Sequence, residues 1–126
     1  NDLIDFSDFL PTFCEIAKSS TDGLTLDGVS FLPQLHGEAG NPRRFVYCWY
    51  NRDMTPGKTQ ATARNQRYKL YQSGEFYDVP NDLQEKQPLA TDNLTPKQVA
   101  IKGELQGALN HYEQFDRVAQ VVDGRQ

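Results

Sequence analysis

The residues with the clearest capacity for chemistry are a run of cations. Seven of the thirteen basic residues, Arg43, Arg44, Arg52, Lys58, Arg64, Arg67 and Lys69, fall between positions 43 and 69, where Asp53 is the only acid. That stretch carries about +6 and the remainder about −10, within a chain of 126 residues and formal net charge −4. Guanidinium and ammonium groups gathered in this way can receive an anion through charge-assisted hydrogen bonds. A solvated basic sheet face is the plainer reading of the same run. The acidic total argues against a nucleic-acid partner.

The other reactive side chains are scattered. Cys14 and Cys48 sit in apolar runs with no Cys or His nearby at metal-ligand spacing, and they read as buried free thiols. A disulfide between them would join a helix to a strand and would require an oxidising compartment. His36 reads as exposed or capping, and His111 as a surface or interface residue of a helix. The carboxylate pairs Asp5/Asp8 and Asp78/Asp82 are accounted for by helix-start charge and turn capping. The sequence contains no G-x-S-x-G elbow, no H-E-x-x-H pair and no Gly-rich phosphate loop. A nucleophile, a proton-transfer group and a charge stabiliser are therefore not assembled locally.

The elements that would position these residues follow from period and punctuation. Leu3, Phe6, Leu10, Phe13, Cys14 and Ala17 recur at spacings of three and four, the period of an amphipathic helix. Pro11 is tolerated if Ser7 caps that helix and it runs from about Asp8. Ser30 reads as the cap of a short helix from Phe31 to His36, ended by Gly37. Residues 1–37 thus form a helical lead-in. Arg44 to Asn51, with Phe45, Tyr47 and Trp49 on one face and Val46, Cys48 and Tyr50 on the other, predicts a central strand covered on both faces. The loop from Arg52 to Lys58 leads to a strand from Thr59 to Arg64, and loops of this kind collect binding residues.

Arg67 to Gln72 and Glu75 to Val79 flank Ser73-Gly74, the spacing of a two-residue hairpin loop. That register sets Tyr71 opposite Phe76, Leu70 opposite Tyr77, Lys69 opposite Asp78 and Tyr68 opposite Val79. Asn81 to Lys86 could add one helical turn. Thr95-Pro96-Lys97-Gln98 is a capping box, and Ile101, Leu105, Ala108, Leu109, Tyr112 and Phe115 continue as one stripe, predicting a helix to about Arg117. The Asn93-Leu94-Thr95 glycosylation sequon already has a reason in that cap. The expected architecture is a single α+β domain over 1–126. Its parts are a four-stranded antiparallel sheet over 44–79, helices packed on one face, and a long C-terminal helix over 95–117.

Several phrases recur together in a known family. Asp8-Phe9-Leu10-Pro11-Thr12, then Leu26-Asp27-Gly28-Val29-Ser30 with Leu32-Pro33-Gln34-Leu35, then Arg67-Tyr68-Lys69-Leu70-Tyr71, then Phe76-Tyr77-Asp78-Val79 with Asn81-Asp82 and Glu85 occur in this order. The chain resembles the C-terminal part of arylsulfatase-like sulfatases of the alkaline phosphatase superfamily over roughly positions 5 to 90. The resemblance implies a large α/β catalytic domain followed by a subdomain built on a four-stranded antiparallel sheet. It also implies hydrolysis of sulfate esters by a formylglycine nucleophile beside a calcium ion, both expected in the N-terminal catalytic domain.

Neither cysteine fits the C/S-x-P/A-x-R modification motif, since Cys14 precedes Glu15-Ile16-Ala17-Lys18 and Cys48 precedes Trp49-Tyr50-Asn51-Arg52. No catalytic or metal residue carries over, and the chain alone is expected to be inactive. Tyr50, Asn51, Arg52 and Lys58 are the candidate substrate-binding residues, facing the cleft of the parent enzyme. A phosphodiester or phosphonate ester is the alternative substrate within the superfamily. A non-catalytic module for anionic glycans or proteins is the reading from another class. The expected partners are the parent's catalytic domain and a sulfated substrate, a glycan among the candidates, with self-association of the isolated chain.

No apolar run approaches the roughly 18 residues of a membrane span, and no signal-peptide pattern opens the chain. Asn1 in place of an initiator suggests a chain cut or processed from something longer. The resemblance suggests an exported or periplasmic parent.

Overall fold

The computed structural model describes residues 2–52 and 59–123, and of residues 114–123 the backbone alone. It divides into two compact units, Asn1–Val46 and Tyr47–Gln126.

The first unit begins with a 3-10 turn, Phe6–Asp8, that leads directly into α1, Phe9–Ile16. Pro11 falls in the first turn of α1, where its missing N–H costs nothing. The cap is Asp5 rather than Ser7. The Asp5 carboxylate accepts from Ser7 N (2.9 Å) and Ser7 Oγ (2.8 Å), while Asp8 Oδ2 accepts from Asp5 N (2.7 Å). The short helix α2, Leu32–Leu35, carries Pro33 near its start, and Ser30 Oγ accepts from Leu32 N at 3.2 Å. Gly37, at φ +81°, ends it in the left-handed conformation that glycine adopts without strain. His36 is exposed.

What this unit buries is polar. Asp8 and Thr12 are 2% and 1% exposed, whereas Phe6, Leu10, Phe13 and Ile16 are 89%, 51%, 59% and 54% exposed. The apolar period of α1 is present, but its stripe faces outward among the described residues.

The second unit reverses that arrangement. Strands β1 (Val46–Tyr50), β2 (Gln60–Arg64), β3 (Tyr68–Tyr71) and β4 (Phe76–Asp78) form an antiparallel sheet in the order β1-β2-β3-β4. The strand expected at the centre, β1, is therefore an edge. Trp49 and Tyr50 are 40% and 55% exposed, and Cys48 is exposed rather than buried. Alternating apolar residues on both faces do not distinguish a central strand from an edge strand that awaits a cover. Cys14 is half-buried, and both thiols are free.

The long helix α3, Pro96–Asp123, packs on β2 and β3. Its capping box forms as the sequence predicts, with Gln98 N donating to Thr95 Oγ1 (3.3 Å) and Thr95 N to Gln98 Oε1 (2.8 Å). Leu105, Ala108 and Leu109 are buried, and so are Ala61, Ala63 and Leu70. Small alanines on β2 give the helix room to approach the sheet. Tyr112 stacks on Tyr47 with ring centroids 4.4 Å apart. The helix continues past Arg117, and the stretch from Asn81 to Lys86 forms turns rather than a helical turn.

The β3–β4 hairpin differs from expectation by one residue. The pairs are Tyr68↔Asp78, Lys69↔Tyr77 and Leu70↔Phe76. The loop is three residues, Gln72 to Gly74, closed by Tyr71 N donating to Glu75 O and Gly74 N to Tyr71 O, both at 2.9 Å. Gly74, at φ +105°, supplies the positive angle that ends such a loop. The slip turns every side chain of β4 to the other face. Phe76 thereby joins Tyr68 in a stack at 5.2 Å and falls to 1% exposure. Burying a phenylalanine contributes about 1.5–3 kcal/mol, more than a surface ion pair between Lys69 and Asp78 could.

Candidate functional site

The candidate substrate residues lie where β1 ends. Tyr50 is the last residue of the strand and is exposed; Asn51 is half-buried, its Nδ2 donating to Thr59 Oγ1 at 3.3 Å across the neck of the loop; Arg52 is exposed in the turn that follows. Tyr50, Asn51 and Arg52 are thus consecutive at an edge of the sheet. Lys58 lies outside the described residues.

Part of the basic run is engaged in ion pairs. Arg43 is in the first unit, where Arg43 Nε donates to Asp8 Oδ2 at 3.0 Å and Nη2 donates to Asp8 Oδ1. Nη2 also donates to Ser7 Oγ (3.1 Å) and Asp27 O (3.0 Å). Asp8 Oδ1 further accepts from Val29 N at 2.7 Å. Burial pushes the Asp8 carboxyl up, but Arg43 and the amides of Val29 and Asp5 outweigh it and hold Asp8 below the usual carboxylate range. Thr12 Oγ1 donates to Asp8 O (2.6 Å) and accepts from Phe31 N (3.1 Å). Gly28 completes the knot, since a Cβ there would stand 2.0 Å from Ser7 O.

In the second unit Arg67 takes Asp78 in a two-pronged pair, Nε to Oδ1 at 3.0 Å and Nη2 to Oδ2 at 2.7 Å. Arg67, together with Asn81 at 3.0 Å, holds Asp78 below its ordinary range against the effect of burial. Lys69 Nζ reaches Glu85 Oε1 at 2.8 Å and Tyr71 Oη at 2.9 Å, and Tyr71 Oη donates to Glu85 Oε2. Burial disfavours the Lys69 ammonium, but Glu85 and Tyr71 hold its pKa above the ordinary lysine value. Burial and Glu85 raise the Tyr71 hydroxyl. Glu85 itself sits at φ +52°, a left-handed backbone that non-glycine residues adopt at some cost, and so places its carboxylate over β3.

Among the described residues, Arg43, Arg67 and Lys69 therefore pair with carboxylates of this same chain. Neither the Asp8–Arg43 pair, 35 positions apart, nor the Lys69–Glu85 pair, 16 apart, has a local signature in the sequence. Among the described residues no group of three or more His, Cys, Asp or Glu is arranged to hold a metal ion, and no helix is long and apolar enough to cross a membrane.

No family model matches the chain, and no curated protein is similar to it. Solved structures are. A 2-O GAG sulfatase superposes with a TM-score of 0.63 at 28% identity, covering 87% of this chain and 24% of that one. A protein from Bacteroides thetaiotaomicron VPI-5482 assigned as a sulfatase, solved at 2.40 Å, gives the same TM-score and coverages at 27% identity. The structural neighbours are sulfatases. The chain spans about a quarter of the length of these sulfatases, consistent with a C-terminal sulfatase subdomain.

Proposed function

We propose that the chain is the C-terminal part of a sulfate-ester hydrolase and that its β1–β2 loop contributes to substrate recognition. The observation that carries this reading is the match of 87% of the chain to sulfatases of which it covers 24%. In such a parent a formylglycine nucleophile and a calcium ion would be held by the larger domain and would supply the nucleophile and the charge stabilisation for sulfate-ester hydrolysis. This chain's part is to bind and orient. A sulfate ester is a permanent anion, and Arg52 with Lys58 would hold it by charge-assisted hydrogen bonds. Tyr50 offers an exposed aromatic side chain beside that loop, and Asn51 a polar group at its start. A sulfated glycan is the substrate class proposed, because one neighbour is a 2-O GAG sulfatase.

Substituting Arg52→Ala together with Lys58→Ala in the full-length enzyme is expected to raise KM for the sulfated substrate about tenfold or more, with kcat little changed. Unchanged kinetics would reject the recognition role. A non-catalytic glycan-binding module is the second reading, favoured by the exposed Trp49 and Tyr50 beside Arg52. Salt-sensitive binding of heparin by a parent that lacks sulfatase activity is the result that would select it.

A further inference from the structure

The first unit is built inside out. In an ordinary amphipathic helix the apolar stripe turns inward and the polar residues meet water. Here α1 and the turn before it bury Asp8 and Thr12 and present Phe6, Leu10 and Phe13 outward, with Phe9 and Ile16 39% and 54% exposed at the margin. The rings form a continuous row, with centroids 5.8 Å apart from Phe6 to Phe9 and again from Phe9 to Phe13. Contiguous exposed aromatic side chains of this kind mark an interaction surface. The underside is held by hydrogen bonds from Asp8, Thr12 and Arg43, so the face keeps its shape without an apolar core beneath it.

We infer that the Phe6–Leu10–Phe13 face is the docking surface for an apolar face of the larger domain of the sulfatase-type parent. The inference rests on the reading proposed above. Two observations choose this occupant over a second copy. The sulfatase neighbours contain about three times as much chain again outside the matched part, which is ample to provide a covering domain. Asn1–Val46 holds seven acids and three bases, a net charge of −4, so two copies meeting through this unit would bring like charges together.

Hydroxyl-radical footprinting of Phe6, Leu10 and Phe13, compared between the full-length parent and the 126-residue chain, tests the assignment. Their oxidation is expected to fall at least fivefold in the parent. A Phe6→Gln/Phe13→Gln variant is expected to leave the circular dichroism of the 126-residue chain unchanged while lowering the Tm of the parent. Equal oxidation in both proteins, or a parent Tm indifferent to the variant, overturns the docking surface while leaving the sulfatase reading intact. Protection that grows with concentration of the 126-residue chain alone identifies a second copy as the occupant and overturns the inference. A parent gene without a C/S-x-P/A-x-R motif overturns the sulfatase reading and the inference together.

Discussion

The two units of this chain reach a folded state by opposite means. Tyr47–Gln126 follows the usual rule, with Ala61, Ala63, Leu70, Phe76, Leu105 and Leu109 buried between a sheet and a helix. Asn1–Val46 contributes no residue to the buried hydrophobic set among the described residues, and its most buried side chains are Asp8 and Thr12. A unit with an apolar core gains stability in proportion to the area it removes from water. A unit held by one buried carboxylate depends instead on every partner of that carboxylate staying in place, because an unpaired buried ion is expensive. The difference separates a unit with an apolar core of its own from one whose large apolar side chains face outward.

The largest effect that bears on this contrast is expected from Asp8→Ala. It removes the acceptor of Arg43, whose side chain is 10% exposed, and of the Val29 and Asp5 amides, at a cost of about 3–5 kcal/mol. Hydrogen exchange followed by NMR should show the amides of the first unit opening while Gln60 to Asp78 stay protected. Loss of protection in both units would break the contrast, since the two would then unfold as one.

Leu70→Ala is the converse and comes next. Leu70 is fully buried, and the cavity is expected to cost about 2–5 kcal/mol, read as a lower urea midpoint for the sheet and α3 while the Asp8–Arg43 pair persists.

A smaller effect is expected from pH. Asp8 has a depressed pKa in the folded state, so its contribution is present above the unfolded carboxylate value of about 3.9 and is lost as pH falls through the lower folded value. A protonated Asp8 still offers an oxygen to Arg43, which is why acid should loosen the first unit less than Asp8→Ala does. Lys69 works in the opposite direction. Its raised pKa makes its contribution complete below about 10.4 and lost as pH rises through the higher folded value, so the second unit carries an alkaline sensitivity. Far-UV and near-UV circular dichroism titrated in both directions would separate the two limbs. Coincident loss in acid and in base at both units would remove the distinction.

Elements with a local cause were legible in the residues. The Thr95–Gln98 capping box, the position of Pro11 in a first turn, Gly37 as a terminator, and a sheet of four short strands all appear as their residue types and spacings imply. So was the likeness to sulfatases, because phrases such as Arg67-Tyr68-Lys69-Leu70-Tyr71 and Phe76-Tyr77-Asp78-Val79 occur in order.

What tertiary structure alone decided is which partner each element meets. Two loop lengths suit Ser73-Gly74, and the burial of Phe76 against Tyr68 selected the three-residue loop and the register that follows from it. The alternation in β1 specified two apolar faces but not whether a neighbour strand lies on both sides, and the strand is an edge. The period of α1 specified an apolar stripe but not its direction. Burial of Asp8 under Arg43 turned that stripe outward, because a carboxylate leaves water only where its cation and amide donors converge, and those donors come from residues 21 and 35 positions away.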